Sequence, residues 1–149
     1  METRVEDKKV KDLMTYGAIA IPEYSKVIDA VGILVEGCVH AAVVTGKNCV
    51  MAGVVSEIDI TRAYGRNFEE IEVKDIMSSP VKTIGMDNTI REAGEIMRDG
   101  LIDRLVVVDE NKRMRGILSV TDIIAAKIRH IYFIPAVFYN DHCFNNRAL

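Results

Sequence analysis

The octet GVVSEIDI, residues 53–60, occurs a second time in closely similar form as GILSVTDI, residues 116–123. Both copies keep the glycine, an apolar pair, the serine and the aspartate at the same spacing. Aligning the chain with itself at this offset pairs residues 10–63 with residues 73–126, and about 17 of the 54 pairs are identical. A fixed offset indicates two copies of one unit. Two copies are too few for a solenoid and favour a closed pair about a pseudo-twofold axis.

The same order of elements is predicted in each copy. A short apolar run precedes a helix, with Ser25 and Asn88 as the predicted N-cap residues and Gly37 and Gly100 near its end. Two strands follow, joined by polar turns, and a second helix begins at the serine of each octet. The predicted strands are residues 18–21, 41–45 and 50–55 in the first copy and 81–84, 105–109 and 114–118 in the second. The sequence therefore predicts an α/β fold with mixed sheets, made of two β-α-β-β-α units.

Charge and composition indicate which kinds of binding partner and which cellular compartment to expect. The formal net charge of −3 over 149 residues gives no basic surplus, so nucleic acid is an unlikely partner. Three cysteines without C-x-x-C spacing argue against a disulfide framework and favour a reducing cytoplasm. The longest apolar run, residues 131–139, is about half of the ~20 residues that span a bilayer, and the charged N-terminus does not resemble a secretory signal. We therefore expect a cytoplasmic protein without a membrane segment.

The spacing Ser-x-x-Asp within the octet has two interpretations. It is a common capping box, in which serine and aspartate satisfy the first backbone amides of a helix. A glycine and small residues before a helix N-terminus also leave amides and a positive dipole end open to a ligand. An aspartate in that first turn can accept two hydrogen bonds from a vicinal diol, which suggests a ribose.

Three motifs together carry a family resemblance. V-K-D-x-M opens each copy at residues 10–14 and 73–77, Gly-x-x-Ser-x-x-Asp closes each copy, and Gly100-x-x-x-Arg104 precedes the apolar strand of the second copy. From about residue 10 to residue 129, the chain resembles a tandem pair of CBS domains, often called a Bateman module. The resemblance implies an adenosine-containing ligand (AMP, ADP, ATP or S-adenosylmethionine) bound between the repeats. It also implies regulation of an enzyme, channel or transporter that is unknown here, a homodimer, and no required cofactor.

Transferring the family's site to the second copy gives one set of candidate residues. Asp122 is the expected ribose ligand, Arg104 the expected phosphate ligand, and the others surround the sugar or the base. The remaining candidates in this set are Ser119, Thr121, Lys82, Thr83, Ile84, Ile102 and Ile117. Arg104 has an alternative interpretation as a solvated flank of its strand.

The first copy gives a matching set around Asp59. Its other members are Ser56, Ala20, Ile21, Pro22, Val39, His40 and Val54. Here Ile58 replaces the threonine of the second copy, Ala41 replaces Arg104, and His40 stands where Asp103 would be. We therefore expect one good site in the second copy and a weak or empty one in the first, with His40 as a surface or packed histidine rather than a phosphate ligand.

Neither a catalytic motif nor metal-ligand spacing is found, so the sequence does not predict an enzyme or a metal site. We divide the chain into repeat 1 with its lead-in (residues 1–66), repeat 2 (67–130) and an aromatic tail (131–149). The charged lead-in is expected to be a solvated helix or partly disordered, and the tail to fold back, pack in a dimer or bind a partner. The alternative function is a scaffold without a ligand that acts through dimerisation and this tail.

Overall fold

The computed structural model describes residues 4–131, which form two mixed sheets with helices on them. The predicted aromatic tail lies almost wholly outside these residues. The strands are β1 (Thr15–Tyr16), β2 (Ala20–Pro22), β3 (Ala41–Thr45), β4 (Met51–Ser56), β5 (Thr83–Gly85), β6 (Arg104–Val108) and β7 (Met114–Ser119). The helices are α1 (Val27–Glu36), α2 (Glu57–Arg62), α3 (Ile90–Gly100) and α4 (Val120–Ile131). Among the described residues, no helix has the length and apolar content that crossing a bilayer requires.

The two sheets repeat one pattern. One has the strand order β2-β3-β4 and the other β1-β7-β6-β5. In each, a short strand pairs in parallel with the first strand of an antiparallel hairpin. Both hairpins carry a register shift at equivalent positions, between Val44 and Thr45 and between Val107 and Val108. The predicted α/β fold of two β-α-β-β-α units is therefore confirmed.

Val43, Val106 and Val108 form a buried cluster between the two sheets. Val43 and Val106 occupy equivalent positions of the two repeats and are 0% and 1% exposed. Met51, Val54, Met114 and Ile117 pack around them, again as equivalent pairs. Burial of these apolar faces holds the repeats together across the pseudo-twofold axis.

Each V-K-D-x-M motif packs on the opposite repeat. Val10 and Met14 lie in one core with Ile84, Ile90 and Leu105 of the second repeat. Val73 lies in the other core, with residues of the first repeat such as Ile21 and Val44. The motif forms a 3₁₀ turn whose aspartate accepts a backbone N–H, from Lys9 to Asp12 and from Glu72 to Asp75. The valine and the aspartate of the motif thus have structural roles.

The N-terminal lead-in differs from the expectation of a solvated or disordered segment. Val5–Asp7 is a 3₁₀ turn, and Val5 is 2% exposed in the core of the second repeat. Glu6 pairs with Lys127 at 2.6 Å and Asp7 with Arg91 at 3.4 Å. The apolar Val5 anchors the segment, while its charged neighbours pair with the helices beneath.

The first helix of each repeat begins one residue later than predicted. Lys26 is the N-cap residue of α1, and its side chain makes no capping hydrogen bond. Thr89 is the N-cap of α3 and forms a capping box with Glu92, whose carboxylate accepts the Thr89 N–H at 2.6 Å. The preceding Asn88 instead accepts the Gly85 N–H in the turn before the helix. Gly37 follows α1 as predicted, whereas α3 extends through Gly100 and ends at Leu101 in the left-handed region.

Candidate ligand cavity between the repeats

A cavity of about 530 Å³ lies between the two repeats. Its first side comes from the end of β4 and from α2. Its second side comes from the end of α3, the start of β6 and residues 78–82, the segment between the second V-K-D-x-M motif and β5, which we call the linker. The residues that line it are Val54, Ser56, Ile58, Asp59, Arg62, Ser78, Pro80, Val81, Lys82, Met97, Arg98, Leu101, Ile102, Asp103 and Arg104. The volume falls within the usual range of small-molecule sites.

Asp59 is held in place by hydrogen bonds from both sides of the cavity. Its Oδ2 accepts the backbone N–H of Ser56 at 2.8 Å and the Ser56 hydroxyl at 2.7 Å. Its Oδ1 accepts the hydroxyl of Ser78, in the linker, at 2.9 Å. Asp59 is 6% exposed and Ser56 7%. The capping box predicted from Ser-x-x-Asp is confirmed here, and the aspartate also lines the cavity.

Basic side chains predominate in the charge of the cavity lining. The lining contains four basic residues and two acidic ones: Arg62, Lys82, Arg98 and Arg104, and Asp59 and Asp103. Arg104 has an 18% exposed side chain and contacts Asp103 at 3.3 Å, whereas Arg98 pairs with Asp99 at 2.8 Å. A guanidinium group suits bidentate contact with phosphate oxygens, so the cavity has groups able to hold an anionic ligand.

Asp122 occupies the equivalent position at the start of α4. Its Oδ2 accepts the backbone N–H of Ser119 at 2.8 Å and the Ser119 hydroxyl at 2.7 Å, while that hydroxyl accepts the Asp122 N–H at 3.2 Å. No described residue donates to its Oδ1. Thr15 is the repeat equivalent of Ser78 and lies on β1 opposite Ile117, but it makes no side-chain hydrogen bond to Asp122 among the residues described. The second capping box is therefore also confirmed, and Oδ1 accepts no hydrogen bond from residues 4–131.

The structure regroups the residues that sequence reasoning had assigned to two sites. Lys82, Ile102 and Arg104 were grouped with Asp122, but they line the cavity of Asp59. The reason is that the linker and the start of β6 face the opposite repeat. The first-copy residues Ser56, Asp59 and Val54 lie on that cavity, as do Ile58 and the basic residues that were expected to be missing there.

The other predicted site residues lie away from the walls of this cavity. Ile21 and Ile84 are 0% and 4% exposed and lie within the two cores rather than on this cavity. His40 is exposed, and its Nδ1 lies 3.0 Å from Oε1 of Glu57. The residues outside the lining are Ala20, Pro22, Val39, Thr83, Ile117, Ser119, Thr121 and Asp122.

Sequence reasoning missed several residues of the lining, above all Ser78, Arg62 and Arg98. Ser78 had a weak signal, because it follows V-K-D-x-M and pairs with Thr15 in the repeat alignment. Arg62 and Arg98 had none, because alanine and valine occupy the equivalent positions in the other repeat. Among residues 4–131, no group of three or more His, Cys, Asp or Glu side chains is placed to hold a metal ion.

Comparison with known proteins places this arrangement in a family. The CBS domain family model matches residues 10–66 and 73–129, which is most of the chain. The chain belongs to the CBS domain family. It is a CBS pair, as the repeated octet and the V-K-D-x-M motifs predicted.

Two curated relatives show where such a segment occurs. An uncharacterized protein of Methanopyrus kandleri is 33% identical over 92 residues, covering 60% of this chain and 47% of the relative. A homoserine O-acetyltransferase of Methanocorpusculum labreanum is 28% identical over 110 residues, covering 74% of this chain and 22% of the enzyme. The chain therefore spans less than half of the length of these relatives.

Solved structures share the fold of this CBS pair. A CBS-domain containing protein of Agrobacterium tumefaciens has a TM-score of 0.75 and 26% identity, with 86% of this chain and 99% of that one covered. A CBS domain protein of Pyrobaculum aerophilum, complexed with AMP, has a TM-score of 0.70 and 26% identity, with 82% and 99% covered. A further CBS domain pair, in complex with 5′-methylthioadenosine and S-adenosyl-L-methionine, has a TM-score of 0.72 and 23% identity, with 80% and 94% covered.

Proposed function

We propose that this CBS pair is a regulatory module that binds a phosphate-bearing adenine nucleotide in the cavity between its repeats. The observation that carries the proposal is that a buried aspartate, Asp59, and four basic side chains line the same cavity of about 530 Å³. Binding of AMP by the relative from Pyrobaculum aerophilum supports an adenosine-containing ligand. The scaffold alternative is not favoured, because this cavity carries charged groups suited to a ligand.

Each part of a nucleotide has a matching part of the cavity. Asp59 offers carboxylate oxygens to the hydroxyls of a ribose, and charge-assisted hydrogen bonds of this kind are the stronger class. The apolar side chains of Val54, Pro80 and Ile102 offer a surface to the base. Arg104 is partly desolvated, so its attraction to a phosphate is screened less than that of an exposed arginine.

The charge of the lining favours phosphates over a sulfonium. Four basic residues against two acidic ones repel the positively charged methionyl group of S-adenosylmethionine and attract AMP, ADP or ATP. We therefore rank S-adenosylmethionine last among the ligands that the family resemblance implies.

Regulation would follow from the position of the cavity. A ligand that contacts both repeats shifts their relative arrangement only if it binds one arrangement more tightly than the other. We propose a non-catalytic role, a homodimer and a cytoplasmic location as parts of the same account. The matched segment of a homoserine O-acetyltransferase is only about a fifth of that enzyme, which supports a partner or attached enzyme as the target.

Thermal unfolding against a ligand panel tests the proposal. The panel contains adenosine, AMP, ADP, ATP, S-adenosylmethionine and NAD, with and without magnesium. A ligand at 100 times its dissociation constant should stabilise the fold by about 2.7 kcal/mol, which raises the melting temperature by several degrees. We expect a phosphate-bearing nucleotide to give the largest shift. A flat response, or the largest shift from S-adenosylmethionine, would overturn the proposal.

A further inference from the structure

The two aspartates of the repeated octet differ in how many hydrogen bonds they already accept. An ionised carboxylate has about four acceptor positions. Those of Asp59 receive three donors, namely the N–H and hydroxyl of Ser56 and the hydroxyl of Ser78. Within the part of the chain that the structure describes, those of Asp122 receive two, both from Ser119. The difference is the single hydroxyl of Ser78.

A ribose diol presents two hydroxyl donors to its carboxylate. Counting the described donors alone, Asp122 has about two acceptor positions left, which is enough for both hydroxyls without any change in this part of the protein. Asp59 has about one left, so a diol can bind there in full only if one of the present donors leaves. The Ser56 N–H is fixed by the start of α2, and the Ser56 hydroxyl belongs to the same capping box.

Ser78 is the donor that can leave with the smallest rearrangement. Its backbone is held by two hydrogen bonds to Val54, from Ser78 N to Val54 O at 2.9 Å and from Val54 N to Ser78 O at 3.0 Å. The residue itself is exposed, so its hydroxyl can turn about χ1 and reach solvent while the backbone stays in place. No strand, helix or core contact has to move.

We propose that Ser78 sets the ligand affinity of the Asp59 cavity by occupying the position that a ribose hydroxyl would take. This inference rests on the proposed function. The Ser78 hydroxyl donates a hydrogen bond to Oδ1 of the buried carboxylate. A nucleotide that binds Asp59 exchanges this hydrogen bond for one from its sugar, so the protein loses a contact between the linker and α2 at the moment of binding. Ser78 is a competitor of the ligand and a positioning residue for Asp59.

Removing the competing hydroxyl should therefore tighten binding of a diol. The measurement is the dissociation constant of AMP by titration calorimetry in an Asp122→Asn background, which isolates the Asp59 cavity. We expect Ser78→Ala to bind AMP about three- to tenfold more tightly, the equivalent of one hydrogen bond that need not be exchanged. The diol-free analogue 2′,3′-dideoxy-AMP should bind both proteins equally.

Three further variants serve as controls. Ser78→Thr keeps a hydroxyl and should bind AMP as the background protein does. Ser79→Ala removes the neighbouring hydroxyl, which donates to the Ala52 carbonyl outside the cavity lining, and should change nothing. Ser78→Cys supplies a weaker donor and replaces Ser78→Ala if that variant does not fold, with a smaller gain expected.

The outcomes separate this inference from the proposed function. If AMP binds the background protein, and folded Ser78→Ala binds it no more tightly or more weakly, the proposed role of Ser78 is wrong while nucleotide binding stands. An equal gain for AMP and its dideoxy analogue also overturns it, because the effect would then come from cavity shape. If AMP binds neither the wild-type protein nor any variant, the proposed function and this inference fail together.

Discussion

Met77 lies directly over Gly53, so that a Cβ built on Gly53 would stand 2.6 Å from the Met77 sulfur and 2.8 Å from the Ser78 carbonyl oxygen. The same relationship recurs in the second repeat, where Thr15 and Met14 pass over Gly116. The glycine that opens each octet therefore makes room for the segment after V-K-D-x-M. Because the segment passes so close to β4, the Ser78 hydroxyl lies within hydrogen-bonding distance of Asp59.

We expect Gly53→Ala to destabilise the protein. The added methyl group meets backbone as well as the Met77 side chain, so the linker must move away from β4. Overpacking of this kind typically costs about 1–3 kcal/mol. Chemical denaturation should show a lower free energy of unfolding and, since the linker carries Ser78, a change in nucleotide affinity.

Gly94→Ala in α3 is the matched control. A Cβ at Gly94 meets no atom within 4 Å, and alanine favours the helix by about 0.5–1 kcal/mol over glycine. The control should be as stable as the wild-type protein or more so. Equal stability of Gly53→Ala and the wild-type protein would contradict the close approach described here.

Arg104→Gln should weaken binding of AMP far more than binding of adenosine. The substitution removes a charged donor from the cavity while keeping a polar side chain of similar length. Loss of a hydrogen bond to a charged group costs about 1.5–3 kcal/mol, or roughly 10- to 150-fold in the dissociation constant. Arg66→Gln, at an exposed arginine outside the cavity lining, is the control. Equal losses for AMP and adenosine would show that Arg104 does not contact the phosphate.

Leu101→Gly should stabilise the end of α3. Leu101 has φ 51° and ψ 41°, in the left-handed region, and is 94% exposed. A residue with a Cβ is strained there by about 1–2 kcal/mol, whereas glycine is not, although glycine gains more freedom in the unfolded chain. We expect a net gain of about 1 kcal/mol, measured as a higher melting temperature. A lower melting temperature would mean that the leucine side chain contributes more than its exposure suggests.

Acidification should weaken the capping box of α3. The Thr89 N–H donates to the Glu92 carboxylate and, with hydrogen bonds from the Asn88 and Thr89 side chains, holds the pKa of Glu92 below its ordinary value of 4.5. A lowered pKa in the folded state means that this stabilisation is complete above pH 4.5. It is lost as the pH falls below 4.5 and through the folded-state pKa.

Glu92→Gln isolates this contribution. Glutamine can still accept the Thr89 N–H but does not titrate, so the stability of the variant should fall less steeply below pH 4.5 than that of the wild-type protein. Glu95→Gln, an exposed change on the same helix, is the control. The free energy of unfolding should be measured by urea denaturation from pH 3 to pH 7. If it depends on pH in the same way for Glu92→Gln and wild type, Glu92 does not contribute to the acid sensitivity as described.

The repeat structure was predictable because local signals agreed in both copies. The strand predicted at residues 41–45 is β3 with those bounds, and both Ser-x-x-Asp capping boxes form. The helix starts were one residue early because Ser25 and Asn88 are good N-cap types, while Thr89 competes with Asn88 at the next position. Such a choice depends on the turn before the helix, which composition does not determine.

The exchange of segments between the repeats was not predictable from the pattern. Val10 and Val73 recur in the V-K-D-x-M motif of each copy, but the two copies have equivalent apolar surfaces, so the sequence does not say which copy each valine covers. The same ambiguity affects Lys82, Ile102 and Arg104, which the sequence groups with Asp122 and which line the cavity of Asp59. Ser78 lies on that cavity because the segment after V-K-D-x-M reaches the other repeat.

Equilibrium dialysis of labelled AMP tests the central claim most directly, with the wild-type protein compared with the double variant Asp59→Asn/Asp122→Asn. We predict saturable binding to the wild-type protein and a dissociation constant at least tenfold higher for the folded double variant, since each substitution weakens a charged hydrogen bond to the ribose. Binding that is unchanged when both aspartates are replaced, or absent from the wild-type protein, would contradict the account.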